Sequence, residues 1–146
     1  MSDVREILNK KGDAIWSVGV EETVHNTLKL MAEKNVGAVL VVDHGKIIGI
    51  FSERDFARHS AQNKNLVLDK VAVKSMMTSH VLFVTPAESA EDCLSIMTAK
   101  HIRHLPVMEQ EKLIGLISIG DVVRKIIEDH KFSITQLEKY VKGEYS

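Results

Sequence analysis

Cysteine, proline and aromatic residues are scarce in this 146-residue chain, which holds one Cys, two Pro, one Trp, two Tyr and four Phe. With Cys93 alone no internal disulfide can form, and its place in a helical pattern marks it as a small buried apolar residue rather than a nucleophile. Neither sign of charge dominates: the net charge is −1, the isoelectric point is near 6.7, and the basic residues are scattered. Nothing therefore marks a binder of nucleic acid or of an anionic membrane. The opening stretch MSDVREILNKKG has neither the apolar core of a signal peptide nor a spanning segment, so a cytoplasmic chain without a membrane partner is expected. Catalytic signatures are missing as well, since no Ser-His-Asp order, metal-ligand set or phosphate-cradling glycine loop is visible, and no enzymatic activity is expected. His101 and His104 are three apart, but no Cys or acidic residue completes a metal set with them.

What is present is a core and a repeat. Hydrophobic residues make up 45% of the chain, enough to bury a core in one domain or in two small halves packed as one. Ile15 to Arg58 lies over Val81 to Arg124 without an insertion, at the offset of 66 that separates Gly49 from Gly115. Glu22, Leu28, Met31, Gly49, Ser52, Asp55 and Arg58 recur as Glu88, Leu94, Met97, Gly115, Ser118, Asp121 and Arg124, more agreement than composition alone supplies.

Each repeat reads as strand, helix, strand, strand, helix. In the first, the expected elements are a strand at Ile15–Val18, a helix capped near Thr23 and running to about Asn35, strands at Val36–Asp43 and Lys46–Phe51 joined by a turn at Asp43-His44-Gly45, and a helix from Glu53 to about Ser60. In the second they are a strand at Val81–Val84, a helix Ala90–His101 capped by Ser89, strands at Arg103–Glu109 and Lys112–Ile117, and a helix from Ile119 through Val122, Val123, Ile126 and Ile127. Before the repeats, Asp3–Lys10 is a short helix with Asp3 at its cap and Gly12 beyond its end. Polar residues 61–65 connect the halves, Val71–Met77 reads as a short helix, and a further helix carries Ile134, Leu137, Val141 and a terminal Gly143. The chain thus parses into an N-terminal helix (1–14), repeats at 15–60 and 79–126, a linker (61–78) and a helical tail (127–146).

Both repeats close with an apolar run that ends in serine, followed three residues later by aspartate: GIFSERDFAR at 49–58 and GLISIGDVVR at 115–124. A serine hydroxyl, free backbone N–H groups and a carboxylate at a helix start suit a polar ligand with hydroxyls and some negative charge. Ser-x-x-Asp is equally an ordinary capped helix start. The copies differ, because Gly120 in S-I-G-D leaves space where Arg54 in S-E-R-D carries a long cation. Arg103 and His104, in HIRHLPV, face Gly37 and Ala38 in the first repeat.

The two G-h-h-S-x-x-D stretches at this spacing, with HIRHLPV in the second, resemble the tandem CBS-domain pair, or Bateman module, over about Ile15 to Lys125. The flanks resemble those of small stand-alone bacterial proteins of that family. The resemblance implies an α+β fold, α/β-like, in which two β-α-β-β-α repeats pack through their sheets with pseudo-two-fold symmetry. It implies a regulatory sensor in signal transduction that binds an adenine nucleotide, AMP or NAD first and ATP, ADP or S-adenosylmethionine next. Asp121 and Asp55 would accept the ribose hydroxyls, Ser118 and Ser52 would meet a phosphate or ribose, and Val84, Ala87 and Ile102 would line adenine. Arg103 and His104 would meet the phosphates, with Arg54 reaching toward them. The site with Ser118, Gly120 and Asp121 is expected to be the stronger one. A homodimer and an unidentified regulated protein are the expected partners; the alternative is a ligand-free dimerisation module using Ile126, Ile127 and Phe132.

Overall fold

The computed structural model describes residues 2–12 and 14–142, apart from the side chains of 132–134, 136 and 140–142. The side chains of Phe132, Ile134 and Val141, and the whole of Gly143, therefore lie outside the described residues. The chain divides into two compact units, one of residues 14–82 and one that joins residues 1–13 to residues 83–146.

In the first unit, β1 (Ser17–Gly19) runs parallel to β2 (Ala38–Asp43), which pairs antiparallel with β3 (Lys46–Ser52). The β2–β3 turn places His44 and Gly45 at φ 50° and 77°, the left-handed pair that a two-residue hairpin of this twist requires. Helix α2 (Val24–Lys34) starts where the Thr23 hydroxyl accepts the Asn26 N–H at 3.1 Å, and it ends on a left-handed Asn35. Its apolar stripe delivers Val24 and Met31 to a core with Val39, Val41, Phe51, Val73 and Met76, each such side chain contributing about 1.5–3 kcal/mol by leaving water. Lys34 places its ammonium 4.4 Å from the centroid of Trp16, so this ring is engaged by a cation of its own unit. Helix α3 (Glu53–Gln62) follows β3 directly.

The second unit repeats the plan with α4 (Ala90–Lys100), β4 (His104–Glu109), β5 (Lys112–Ser118) and α5 (Ile119–Lys142). Val84, Ala90, Cys93, Met97, Leu105, Val107, Ile117 and Val122 form its core, completed by Val4, Ile7 and Leu8 of α1 (Val4–Lys11). The hairpin turn puts Gln110 and Glu111 at φ 51° and 63°; it has the same hand as its counterpart, built without glycine.

Three expected elements differ. Val81–Val84 forms no strand: Val84 alone bridges to Val107, donating to Pro106 O at 3.0 Å and accepting from Met108 N–H at 2.9 Å. The cause is Pro106. Its counterpart Leu40 donates its N–H to Trp16 O at 3.0 Å, and proline has no N–H with which to form that rung. The short helix expected at Val71–Met77 is a single 3₁₀ turn, Val73–Ser75. The C-terminal stretch is one 24-residue helix rather than two, because no glycine or proline interrupts the sequence between Gly120 and Gly143.

A second internal correspondence also emerges. The segment at 72–77 lies on the first unit as residues 3–8 lie on the second. Val73 N–H donates to Glu22 O (2.7 Å) and Val4 N–H to Glu88 O (2.9 Å), and Lys74 and Arg5 donate to Val20 O and Pro86 O. Met77 sits over Gly49 and Leu8 over Gly115, so closely that a Cβ added at either glycine would lie 2.5 Å from the covering side chain. The segment that precedes each repeat in sequence thus belongs to the unit of the other repeat.

Candidate functional site

Both Ser-x-x-Asp stretches fold as helix starts. In the first unit Ser52 Oγ accepts the Asp55 N–H at 3.2 Å while Asp55 Oδ2 accepts the Ser52 N–H at 2.9 Å, and the Thr78 hydroxyl donates to Asp55 Oδ1 at 3.1 Å. In the second, Ser118 Oγ accepts the Asp121 N–H at 3.1 Å and Asp121 Oδ2 accepts the Ser118 N–H at 2.8 Å. These are reciprocal caps. The plain structural reading of the motif therefore holds for both copies, and any ligand role is carried by the same atoms.

The surroundings of the two carboxylates differ. Asp121 Oδ2 also accepts from Lys11 Nζ at 2.6 Å, and Oδ1 accepts from Arg124 Nη2 at 2.7 Å. The Asp121 side chain is only 9% exposed. Burial pushes its carboxyl up, but the Lys11 hydrogen bond, the Ser118 N–H and the Lys11 charge outweigh that, and its pKa lies below the ordinary 3.8. Asp121 is thus an ionised acceptor at neutral pH. It lines a cavity of about 230 Å³ between α1 and α5, with Lys10, Lys11, Arg124, Lys125 and Glu128 also on its wall, Glu128 accepting from Lys10 at 2.5 Å. A largely buried acceptor on a wall where cations outnumber carboxylates suits a molecule that combines hydroxyls with anionic groups.

The other expected residues take the following places. Arg103 is exposed just before β4, and its carbonyl accepts the Ile119 N–H at 2.8 Å; His104 pairs with Ser118 across β4–β5. Both are thereby brought beside the start of α5. Ile102 packs partly buried against the core of this unit, Val84 is 4% exposed within it, and Ala87 stands exposed in the turn after Pro86. A Cβ at Gly120 would meet only Ser118 Oγ at 3.6 Å and Arg124 Nη1 at 3.8 Å, so alanine fits there. Arg54 is exposed on the first turn of α3. Of the residues singled out from sequence, Asp121 alone lines the α1–α5 cavity. Sequence reading missed Lys11, Arg124 and Thr78. Arg124 carried a signal, its recurrence as Arg58, whereas Lys11 and Thr78 lie outside the aligned repeats. Among the described residues no group of three His, Cys, Asp or Glu could hold a metal ion, and no helix is long and apolar enough to cross a membrane.

Two α/β units of one plan, each closing on a capped Ser-x-x-Asp helix, define a tandem-repeat protein of mixed helix and strand. The CBS domain family pattern matches residues 4–62 and 73–128, and the chain belongs to the CBS-domain family. It is 42% identical to a protein with CBS domains from Burkholderia ambifaria, whose solved structure it matches with a TM-score of 0.83 over 88% of this chain and 96% of that one. It is 33% identical to a mitochondrial CBS domain-containing protein of Arabidopsis thaliana, over 99% of this chain and 73% of that protein. A CBS domain protein from Pyrobaculum aerophilum solved with AMP shares the fold, with a TM-score of 0.70 and 24% identity over 82% of this chain and 88% of that one.

Proposed function

We propose that this chain is a regulatory, non-catalytic CBS pair that binds an adenine nucleotide, AMP or NAD in the first instance, with Asp121 accepting the ribose hydroxyls. The observation that carries the reading is the ionised, largely buried Asp121 carboxylate on the wall of a cavity edged by Lys10, Lys11, Arg124 and Lys125 against one further acid, Glu128. Ser118, Gly120, Arg103 and His104 surround the same helix start, and Val84, Ala87 and Ile102 are the proposed adenine contacts. AMP in the Pyrobaculum protein supports the ligand class. Ser52 and Asp55, with Arg54 beside them, form the weaker candidate, because the Asp55 carboxylate takes the neutral Thr78 hydroxyl where Asp121 takes the charged groups of Lys11 and Arg124. Calorimetry with AMP, NAD, ATP and S-adenosylmethionine tests the reading: binding by wild type that drops about 100-fold or more in Asp121→Ala supports it. Absence of binding by all four, or equal binding by the variant, overturns it.

A second reading, homodimerisation or partner docking, draws on α5, where Ile127 is 55% and Leu137 65% exposed. The two readings are compatible. An absorbance ratio of the purified protein at 260 and 280 nm reports retained nucleotide, and sedimentation of Ile127→Glu reports whether this face holds two copies together.

A further inference from the structure

Two acceptors are matched in the two units and served by different donors. In the first unit, Thr78 gives its backbone N–H to Ile50 O at 2.8 Å and its hydroxyl to Asp55 Oδ1 at 3.1 Å. In the second, the equivalent groups are Leu116 O and the Asp121 carboxylate, and the one Lys11 ammonium reaches both, Leu116 O and Asp121 Oδ2, each at 2.6 Å, while Arg124 takes Oδ1. Thr78 is tied by backbone pairing in both directions with Ile50, so it cannot leave without breaking a bridge. Lys11 can leave by turning its side chain.

The lone-pair count on Asp121 makes that difference functional. A carboxylate offers about four acceptor positions. Oδ2 already takes Ser118 N–H and Lys11, and Oδ1 takes Arg124, leaving one. Two neighbouring hydroxyls span both carboxylate oxygens, so they need a place on Oδ2. The Ser118 N–H is fixed at the start of α5. Lys11 is the donor on Oδ2 that can be exchanged.

We propose that Lys11 is a releasable latch: it ties the last turn of α1 to Asp121, and a ligand whose vicinal hydroxyls take Asp121 loosens that turn, which then keeps only the side-chain ties of Lys10 to Glu128 at 2.5 Å and of Lys11 to Leu116 O. This rests on the reading of Asp121 given above. The first turns of α1 are held independently, by the Val4 and Arg5 N–H bonds to Glu88 O and Pro86 O and by Leu8 over Gly115. Release is therefore confined to the residues after Leu8, including the Gly12 N–H bonded to Leu8 O at 2.8 Å. In sequence Gly12 lies just before the first repeat, so occupancy of one site alters the covalent lead into the other half.

Amide hydrogen exchange of residues 10–12 in the full chain tests the latch. Without ligand, Asp121→Asn and Lys11→Met should each speed exchange of these amides about tenfold, and Thr78→Val should not. Saturating AMP should produce the same acceleration in wild type and none beyond it in Lys11→Met. An unchanged rate in Asp121→Asn overturns the latch, and so does slower or unchanged exchange in wild type when calorimetry shows AMP bound through Asp121. Acceleration in Asp121→Asn together with no heat from AMP upholds the Lys11 contact and overturns the nucleotide reading instead.

Discussion

The two halves of this chain solve one structural problem with different chemistry. Each sheet has a glycine under a covering side chain and a carboxylate at the start of the following helix. In the first half the cover is Met77 and the carboxylate partner a neutral hydroxyl; in the second they are Leu8 and an ammonium. A hydroxyl fixed by backbone pairing makes a structural corner. An ammonium on a flexible stem, beside an acceptor it holds ionised, makes one that a ligand can contest. Function is thus expected where the repeat symmetry breaks.

The glycines give the largest expected effect on stability. At Gly49 an added Cβ would lie 2.5 Å from Met77 Sδ and 2.9 Å from the backbone oxygen of Thr78; at Gly115 the contacts at 2.5 and 2.9 Å are both terminal carbons of Leu8. Side-chain ends can swing and the paired backbone cannot, so Gly49→Ala should cost about 2–3 kcal/mol and Gly115→Ala about 1 kcal/mol. Denaturant unfolding measures both. Equal costs would mean that the two covers yield alike and that the halves are mechanically equivalent.

The carboxylate partners give the next effect. Asp121 has its pKa lowered in the folded protein, so it stabilises the fold above the unfolded value near 3.8, and that contribution is lost as pH falls through the lower folded value. Asp121→Asn should cost about 1–2 kcal/mol at neutral pH, and its gap to wild type should close below pH 3.8. Added salt should also narrow the gap, since Lys11 is 35% exposed. Thr78→Val, which removes a neutral donor from Asp55, should show little salt dependence. A gap for Asp121→Asn that persists unchanged into acid would remove the charge from the comparison.

Much of this asymmetry was beyond reach in the sequence, for identifiable reasons. The repeat, the caps at Asp3, Thr23, Ser52, Ser89 and Ser118 and the hairpin turns are local, and each announces itself by residue type at fixed spacing. The exchange of covering segments is not local. Val73 matches Val4 at an offset of 69, against the 66 that relates Ser118 to Ser52, and Ile7 and Leu8 match Met76 and Met77 only in being apolar. Lys11 has no partner at either offset that resembles it, because α1 continues for another turn where its counterpart stops at a 3₁₀ turn. The missing strand at Val81–Val84, by contrast, was legible, since Pro106 stands in the sequence where Leu40 donates its N–H. A periodicity count registers apolar residues and overlooks the absent donor.

The smallest expected effect lies in the paired positions Thr27 and Cys93, both fully buried at the same place on α2 and α4. The Thr27 hydroxyl donates back to Thr23 O at 2.8 Å, an oxygen that already accepts the Thr27 N–H at 3.0 Å. Thr27→Val therefore removes one donor without leaving that acceptor unpaired, and should cost less than about 1 kcal/mol. Cys93 has the matching acceptor in Ser89 O, which takes its N–H at 3.1 Å, so Cys93→Ser can adopt the Thr27 arrangement at a similarly small cost. The thiol itself is pushed up to about 11, by burial first and then by the charges of Glu88 and Asp92. At pH 8 almost none of it is thiolate, and reagents should label it only when α4 opens. Its labelling rate in the native protein then measures the opening of the second half alone. A rate close to that of the denatured chain would mean that the α4 core is not closed, and the two halves would differ in stability as well as in chemistry.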